Sequence, residues 1–425
     1  MSIKAVRSWA LAGVAATGVL AGAVAPVMAA DATLIIESWR NDDLQIWQEK
    51  IIPAFESSHP GIKLKFQPTA PKEYNAALNS KLDAGTAGDI IACRPFDASL
   101  DLFKKKQLTS VNDIAGMSNF GPVAKAGWST DDGATTFCVP VAAVLHGFIY
   151  NKDAFKKVGI DKPPVTADEF FADLDKIKKD GTYVPLAMGT PDQWEAATMG
   201  YQVIGPNYWH GEDGRKALIA GKEKLTDPEW VEPFKQLAKW APYMGDGYKA
   251  QSYPDSQNMF TLGRAAIYPA GSWEIAQFDS QAQFPMGAFP APLPKAGDPC
   301  YLSDHVDIAF GENPKTKNPE AAKAFLTWVA SPDFAKLYSN ALPGFFSLQT
   351  QPVDVQNPLA KEFVSFRKDC KSTIRSTYQI LSRGTPNLEN ETWVESANVL
   401  NGTDTPDQAA AKLQKGLDTW YHPAK

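Results

Sequence analysis

TLIIES at residues 33–38, IKLKF at 62–66 and DIIAC at 89–93 are the three stretches that decide the fold. The apolar run of the first reads as a short buried strand. The second alternates Ile62, Leu64 and Phe66 with Lys63 and Lys65, the pattern of a half-buried strand. Between them Leu44, Trp47, Ile51, Ile52 and Phe55 recur at helical spacing, and a second helix is expected over about Glu73 to Ala84. It leads through Gly85 and Gly88 into the third strand. Strand, helix, strand, helix, strand implies right-handed crossovers and a parallel sheet, so the fold class is α/β.

Outward from this unit the alternation resumes after Pro140. Val144 to Tyr150 is strand-like and Lys152 to Val158 opens a helix. Thr166-Ala167-Asp168-Glu169 is a capping box ahead of an amphipathic run that ends at Gly181. Pro185 to Met188 reads as a short strand, Trp230 to Met244 as a helix, and Arg264 to Pro269 as a strand entering a Gly-Ser-Trp turn. Asn318-Pro319, Ser331-Pro332 and Thr405-Pro406 each place a capping residue before proline at a first helical turn. The last third, from about Asn318, is expected to be almost wholly helical. Breaks near Val139-Pro140, Phe289 to Pro294 and Leu342-Pro343 are candidate domain crossings.

With 44% hydrophobic and 21% charged residues, the chain excludes intrinsic disorder and coiled coil. Its 425 residues suggest two or three domains. The charge is 42 − 48 = −6 with no basic block, which argues against a nucleic-acid partner. Residues 1–30 have the form of an export signal: Lys4 and Arg7, an apolar run from Trp9 to Val24, then Pro26-Val27-Met28-Ala29-Ala30. Cleavage near Ala29/Ala30 is expected, with a retained anchor as the competing reading. No cysteine near the apolar run offers a lipid anchor, so the mature chain is expected in the periplasm as a monomer. There Cys93, Cys138, Cys300 and Cys370 can form disulfides, in any of three full pairings, or remain free buried thiols.

Several chemistries lack their motifs. There is no GxxxxGK[ST] loop, GxGxxG after a strand, GxSxG elbow or HExxH, and the five histidines are dispersed. Asp304-His305-Val306-Asp307 is a poor metal site, because on a strand Asp304 and His305 point to opposite faces. No metal, cofactor or catalytic residue is therefore expected.

Four stretches together resemble the extracellular solute-binding proteins of ABC transporters, in the carbohydrate-binding family that includes maltose-binding protein. They are Gly88 to Ile91 with Lys106-Gln107-Leu108; Val139-Pro140 with Phe148 to Phe155 and Pro163 to Glu169; Phe260 to Ile267 with Gly271-Ser272-Trp273; and Asn318 to Leu326, ending at Pro343-Gly344. The resemblance implies a type II-like periplasmic-binding fold: two α/β lobes joined by three crossings, with the ligand cleft between them. By that pattern 31–143 and 290–343 form lobe one, and 144–289 and 344–425 lobe two. Cys93, Cys138 and Cys300 then share lobe one, which permits a Cys93–Cys138 bridge, whereas a bond across lobes would hinder closure.

Ligands of open parallel sheets bind outside the carboxyl ends of strands. The expected site is accordingly Trp39, Arg40 and Asn41 after the first strand, and Arg94, Phe96 and Asp97 after the third. An indole face suits the C–H face of a pyranose, while arginine and aspartate donate to and accept from its hydroxyls. The resemblance adds the aromatics Trp194, Trp273 and Trp393, with Asp304 and His305 after the second crossing and His146 near the first. The implied function is the exported substrate-binding component of an importer, holding a sugar or oligosaccharide and delivering it to permease subunits. The alternatives are the same clamp for a polyol, polyamine or glycerol phosphate diester, or a secreted glycoside hydrolase.

Overall fold

Ten strands and their connecting helices organise residues 32–423, the part of the chain that the structure, a computed structural model, describes. The expected export signal lies outside the described residues. The strands are β1 Ala32–Ser38, β2 Ile62–Pro68, β3 Ile90–Cys93, β4 Val139–Asn151, β5 Val184–Leu186, β6 Ala265–Gly271, β7 Met286–Phe289, β8 Tyr301–Glu312, β9 Phe346–Ser347 and β10 Lys371–Thr373. β1 lies between β2 and β3, parallel to both, with Ile36 opposite Phe66 on one side and Ile90 on the other. This is the arrangement expected from residues 33–93.

The sheet then changes character. β8 runs antiparallel between β3 and β4. The thirteen residues of β4 serve two groups of strands: Val139–Leu145 pair with β8, and His146–Asn151 with β6 and β7. β5 adds to β6 in parallel. Two hydrophobic clusters flank this shared strand. One surrounds β1–β3, where Trp47 stacks on Phe66 at 4.4 Å. The other contains Phe148, Phe234 and Phe289, with Trp209 stacked on Trp230 at 4.6 Å. The result is a two-lobed α/β molecule with β4 and β8 running between the lobes.

Local signals explain many element ends. Thr166 accepts from the Glu169 backbone N–H and the Glu169 carboxylate reaches back, so the helix Ala167–Asp180 begins where the capping box placed it and ends at Gly181, φ 74°. The helix expected over Trp230–Met244 instead spans Pro228–Ala238, followed by a 3₁₀ turn at Ala241–Tyr243, where Pro242 has no N–H to continue it. The last third is less helical than expected: β9, β10 and irregular segments 348–357 and 374–378 interrupt it.

The cysteines form two disulfides, Cys93–Cys138 and Cys300–Cys370. The first joins the end of β3 to the start of β4. Gly311 on β8 makes room for it, because a Cβ there would lie 2.8 Å from Cys138 Sγ and 3.0 Å from Cys93 Sγ. The second bond extends the β8–β10 pairing, in which Tyr301 faces Lys371. Cys300 packs against the first cluster, which also holds Cys370. The next N–H, of Tyr301, donates to Asn207 Oδ1 at 2.7 Å. Replacing Cys93 and Cys138 together by serine is expected to cost about 2–4 kcal/mol, from the freed loop of the unfolded chain. Urea unfolding with and without the pair measures it.

Candidate functional site

Strand ends supply the site. β1 delivers Trp39, β3 Arg94 and β6 Trp273, each within two residues of the strand's last residue. β8 presents Asp307, the helix Leu388–Asn401 presents Trp393, and Trp194 and Tyr253 open two further helices. These residues, with Arg40 and Arg375, line one narrow cavity of about 50 Å³. A wider chamber of about 500 Å³ shares Arg94, Asp307, Arg375 and Trp393 and adds Tyr74, Asp97, Tyr378 and Glu389. The first is walled mainly by aromatic rings, the second by charged and polar groups.

The aromatic walls are tied down. Trp194 meets Tyr253 edge-on at 4.7 Å, and Trp39 meets Tyr74 at 5.6 Å. The Arg94 guanidinium lies 4.6 Å over the Trp39 ring, held by Asn75 Oδ1 and Pro71 O at 3.0 Å each. Trp273 Nε1 donates to Tyr253 Oη at 3.2 Å and to Glu274 Oε1 at 3.1 Å.

The polar groups are less committed. The Asp307 carboxylate has no hydrogen-bond partner among the described residues. Burial pushes its pKa up, against the pull of Arg375, Arg40 and Arg94. Arg375 reaches Glu389 Oε1 only at 3.5 Å and its Nε is buried without a partner. Two guanidiniums and two carboxylates thus face one space with hydrogen-bonding capacity to spare, which suits a ligand dense in hydroxyls.

Of the expected site residues, Trp39, Arg94, Trp194, Trp273 and Trp393 converge on the narrow cavity. Arg40 also lines it, but its Nε and Nη2 donate to Asp43 at 2.9 and 2.7 Å, leaving a structural ion pair packed over Phe345. Asp97 lines the wider chamber, where it accepts from Arg383 Nε at 2.7 Å. Asn41 is exposed at the start of a 3₁₀ turn and lines neither space. Phe96, at φ 59°, packs on Tyr378 at 5.2 Å outside both. Asp304 faces the other side of β8 and is engaged bidentately by Arg367 at 2.8 Å, with Ser372 at 2.6 Å. His146 and His305 lie behind the cavity wall as a buried pair, their Nε2 atoms 3.1 Å apart, between Trp273 and Tyr378.

Five residues lining the narrow cavity escaped the sequence reading: Pro71, Thr198, Tyr253, Asp307 and Arg375. Asp307 was signalled: it stands two residues after His305 on β8 and so shares its face. Tyr253 follows Ser252, which with Asp255 forms a capping box, a mark of a helix start but not of a site. Arg375 had no signal, since it lies in an irregular segment.

Across the mouth of the wider chamber, Arg383 joins the two halves. Its own segment packs with the second cluster, through Gln202 to Ser376 at 2.9 Å and Arg215 to Gln379 at 3.2 Å. Its guanidinium donates to Asp97 and, at 2.7 and 3.1 Å, to Asp131 of the other half. Lys72 and the Pro191 carbonyl make a second crossing contact at 3.2 Å.

The chain matches the family described as bacterial extracellular solute-binding protein over residues 38–336. It is similar to an ABC transporter extracellular-binding protein of Pyrococcus horikoshii, 26% identical over 321 residues that cover 73% of this chain and 70% of the relative. It is also similar to the multiple sugar-binding protein of Streptococcus mutans, 22% identical over 391 residues, or 89% and 87% of the two chains. Among solved structures, a chitin oligosaccharide binding protein aligns with a TM-score of 0.76 at 20% identity, covering 91% of this chain and 98% of its own. The solute-binding protein RafE in complex with raffinose aligns with the same score and identity, covering 92% and 100%. These neighbours share the two-lobed fold and are binding proteins rather than enzymes. Among the described residues no helix is long and apolar enough to cross a membrane.

Proposed function

Because the chain belongs to the bacterial extracellular solute-binding protein family, we propose that it is the exported substrate-binding component of an ABC importer. Its ligand is an uncharged sugar or oligosaccharide, held between the lobes and delivered unaltered to permease subunits. One observation carries the ligand class: Trp39, Trp194, Tyr253, Trp273 and Trp393 surround a space into which Arg94, Arg375 and Asp307 point with unused hydrogen-bonding capacity. Flat apolar faces beside spare donors and acceptors match the C–H and O–H surfaces of a pyranose. In the adjoining wider chamber Arg94 and Arg375 stand with Asp307 and Glu389, a balance of charge that favours neither a phosphate diester nor a polyamine.

We place residues 31–143 and 304–343 in the first lobe and the remainder of the mature chain in the second. The segment 290–303 moves with the second lobe, because it bonds to Asn207 and to β10. The narrow cavity is small beside the roughly 300–1,000 Å³ of ligand sites in general, so ligand entry requires the lobes to part.

Calorimetric titration of the processed chain with mono- and oligosaccharides, a polyol, a polyamine and a glycerol phosphate diester tests the reading. Binding of a sugar that is recovered intact supports it; binding of a charged solute alone, or liberation of shortened sugar, overturns it. Arg383→Ala is expected to speed ligand release two- to fivefold. This corresponds to about 0.5–1 kcal/mol, discounted because the Asp131 side chain is 59% exposed, and the difference should shrink at high salt. Stopped-flow measurement of release in low and high salt checks it.

A further inference from the structure

Glu274 follows Trp273 in sequence and lies behind it, 1% exposed and outside the cavity. Its Oε1 accepts from Tyr253 Oη at 2.6 Å and from Trp273 Nε1 at 3.1 Å, and its Oε2 accepts from Gln257 Nε2 at 2.8 Å. Two neighbouring walls of the cavity therefore hang on one carboxylate, and a third side chain steadies that carboxylate from the helix Tyr253–Thr261.

We propose that Glu274 is the positioning residue of the aromatic wall: its ionised form holds the Tyr253 and Trp273 rings at the angle that ligand stacking needs, and its protonation releases them. The proposal rests on the sugar-binding reading for its consequence, but not for its geometry. A carboxylate can accept all three donors at once. In the carboxylic acid one oxygen becomes a donor: Tyr253 Oη can accept from it only by turning its own hydrogen away, and the Trp273 and Gln257 N–H groups cannot accept at all. At least one of the three bonds is then reversed or lost, and none keeps its charge assistance.

The surroundings place this change near neutrality. Burial pushes the Glu274 pKa up to about 7, although the bonds from Tyr253 and Gln257 pull it down. Asp42 adds to the rise; Arg40, the cation that faces it, opposes the rise but is bonded to Asp43. From the elements packed around it, Glu195 bonds to Ser256 at 2.5 Å and Tyr268 is held uncharged by burial. His146 meets the Trp273 ring at 5.2 Å, and burial keeps its pKa well below 6.5, outside the window in which Glu274 changes.

Tryptophan emission of the ligand-free chain between pH 5.5 and 8.5 tests the coupling. A transition near pH 7 is expected in the wild type and is expected to be lost in both Glu274→Gln and Trp273→Phe. Its absence in the wild type, or its persistence in either variant, overturns the proposal. Tyr253→Phe keeps the carboxyl while removing one donor to its charged form, so its midpoint should move upward; an unmoved or lowered midpoint also overturns it. This arm stays decisive if Glu274→Gln does not fold. For the sugar selected by calorimetry, wild-type affinity should fall about tenfold from pH 8 to pH 6, the equivalent of one charge-assisted hydrogen bond, and change less than about twofold in Glu274→Gln. Failure to find any sugar would count against the proposed function and leave the emission test to decide the role of Glu274.

Discussion

Trp273→Ala is expected to weaken sugar binding by about 2–4 kcal/mol, roughly 30- to 1,000-fold. The ring is 8% exposed, stands at the end of β6 and forms one wall of the narrow cavity. Truncation removes the stacking surface, lets water into a site that must exclude it, and deprives Glu274 of one of its donors. The first two effects appear as lost affinity and the third partly as lost stability. Calorimetry and thermal melts of the same protein separate them, and a variant that binds as tightly as the wild type contradicts the assignment. Trp328 provides the contrast. It packs against Phe55 at 5.2 Å and Phe334 at 4.8 Å, remote from the cavity. Trp328→Ala is expected to cost about 3 kcal/mol or more of stability and to leave affinity unchanged.

The second large effect is on acid stability. His305 Nδ1 lies 2.8 Å from the Val306 carbonyl and must carry its hydrogen there, so His305 Nε2 accepts from His146 Nε2–H. Both rings are held neutral: burial, then the Arg375 cation, push each pKa well below 6.5, and for His146 the neighbouring His305 adds to this. Below about pH 6.5 the unfolded chain takes up a proton on each histidine and the native chain does not, so stability falls as pH falls. The pair removes up to about 3 kcal/mol between pH 6.5 and 5, each histidine approaching roughly 1.4 kcal/mol per unit below the unfolded pKa.

Glu274 acts in the opposite sense. Its raised pKa means that the native chain is protonated first, which adds stability as pH falls from about 7 towards the unfolded carboxyl value. The histidine contribution is isolated by comparing urea midpoints of the wild type and a His146→Gln, His305→Gln double variant at pH 5 and 6.5. The double variant should lose most of the acid slope attributed to the pair. Equal slopes would show that the histidines are not kept neutral by the fold.

The sequence made the parallel core legible because β2 alternates and β1 and β3 are short apolar runs, and helix starts because Thr166–Glu169 and the Ser-Pro and Thr-Pro pairs carry their own hydrogen-bonding logic. It made half the cavity legible for a related reason. A parallel sheet exposes the residues just beyond its carboxyl ends, and those include Trp39 and Arg94. Trp194, Trp273 and Trp393 came from family resemblance, since a tryptophan in a helix or turn looks the same whether it stacks on a ligand or on a neighbour.

What was not legible depended on single steps and distant partners. On β8 the two-residue alternation reverses the roles of Asp304 and Asp307: Asp304 turns to Arg367, and Asp307 turns to the cavity. A register shift where β4 meets β8, between Pro140 and Ala142, shows how easily the facing of these strands changes. Arg40 had the right position but a nearer partner, Asp43, three residues on. The histidine pair and the cysteine pairing join residues 45 to 159 positions apart, which no local pattern encodes. Arg375 and Arg383 sit in a segment whose shape is set by what it packs against.

A crystal structure of the chain grown with the sugar that calorimetry selects is the most direct test of a carbohydrate held between the lobes. The expected result is a pyranose ring against Trp273 or Trp39, with hydroxyls bonded to Asp307 and to at least one of Arg94 and Arg375. A sugar held elsewhere on the surface, with those side chains undisturbed and the cavity still closed, would contradict it.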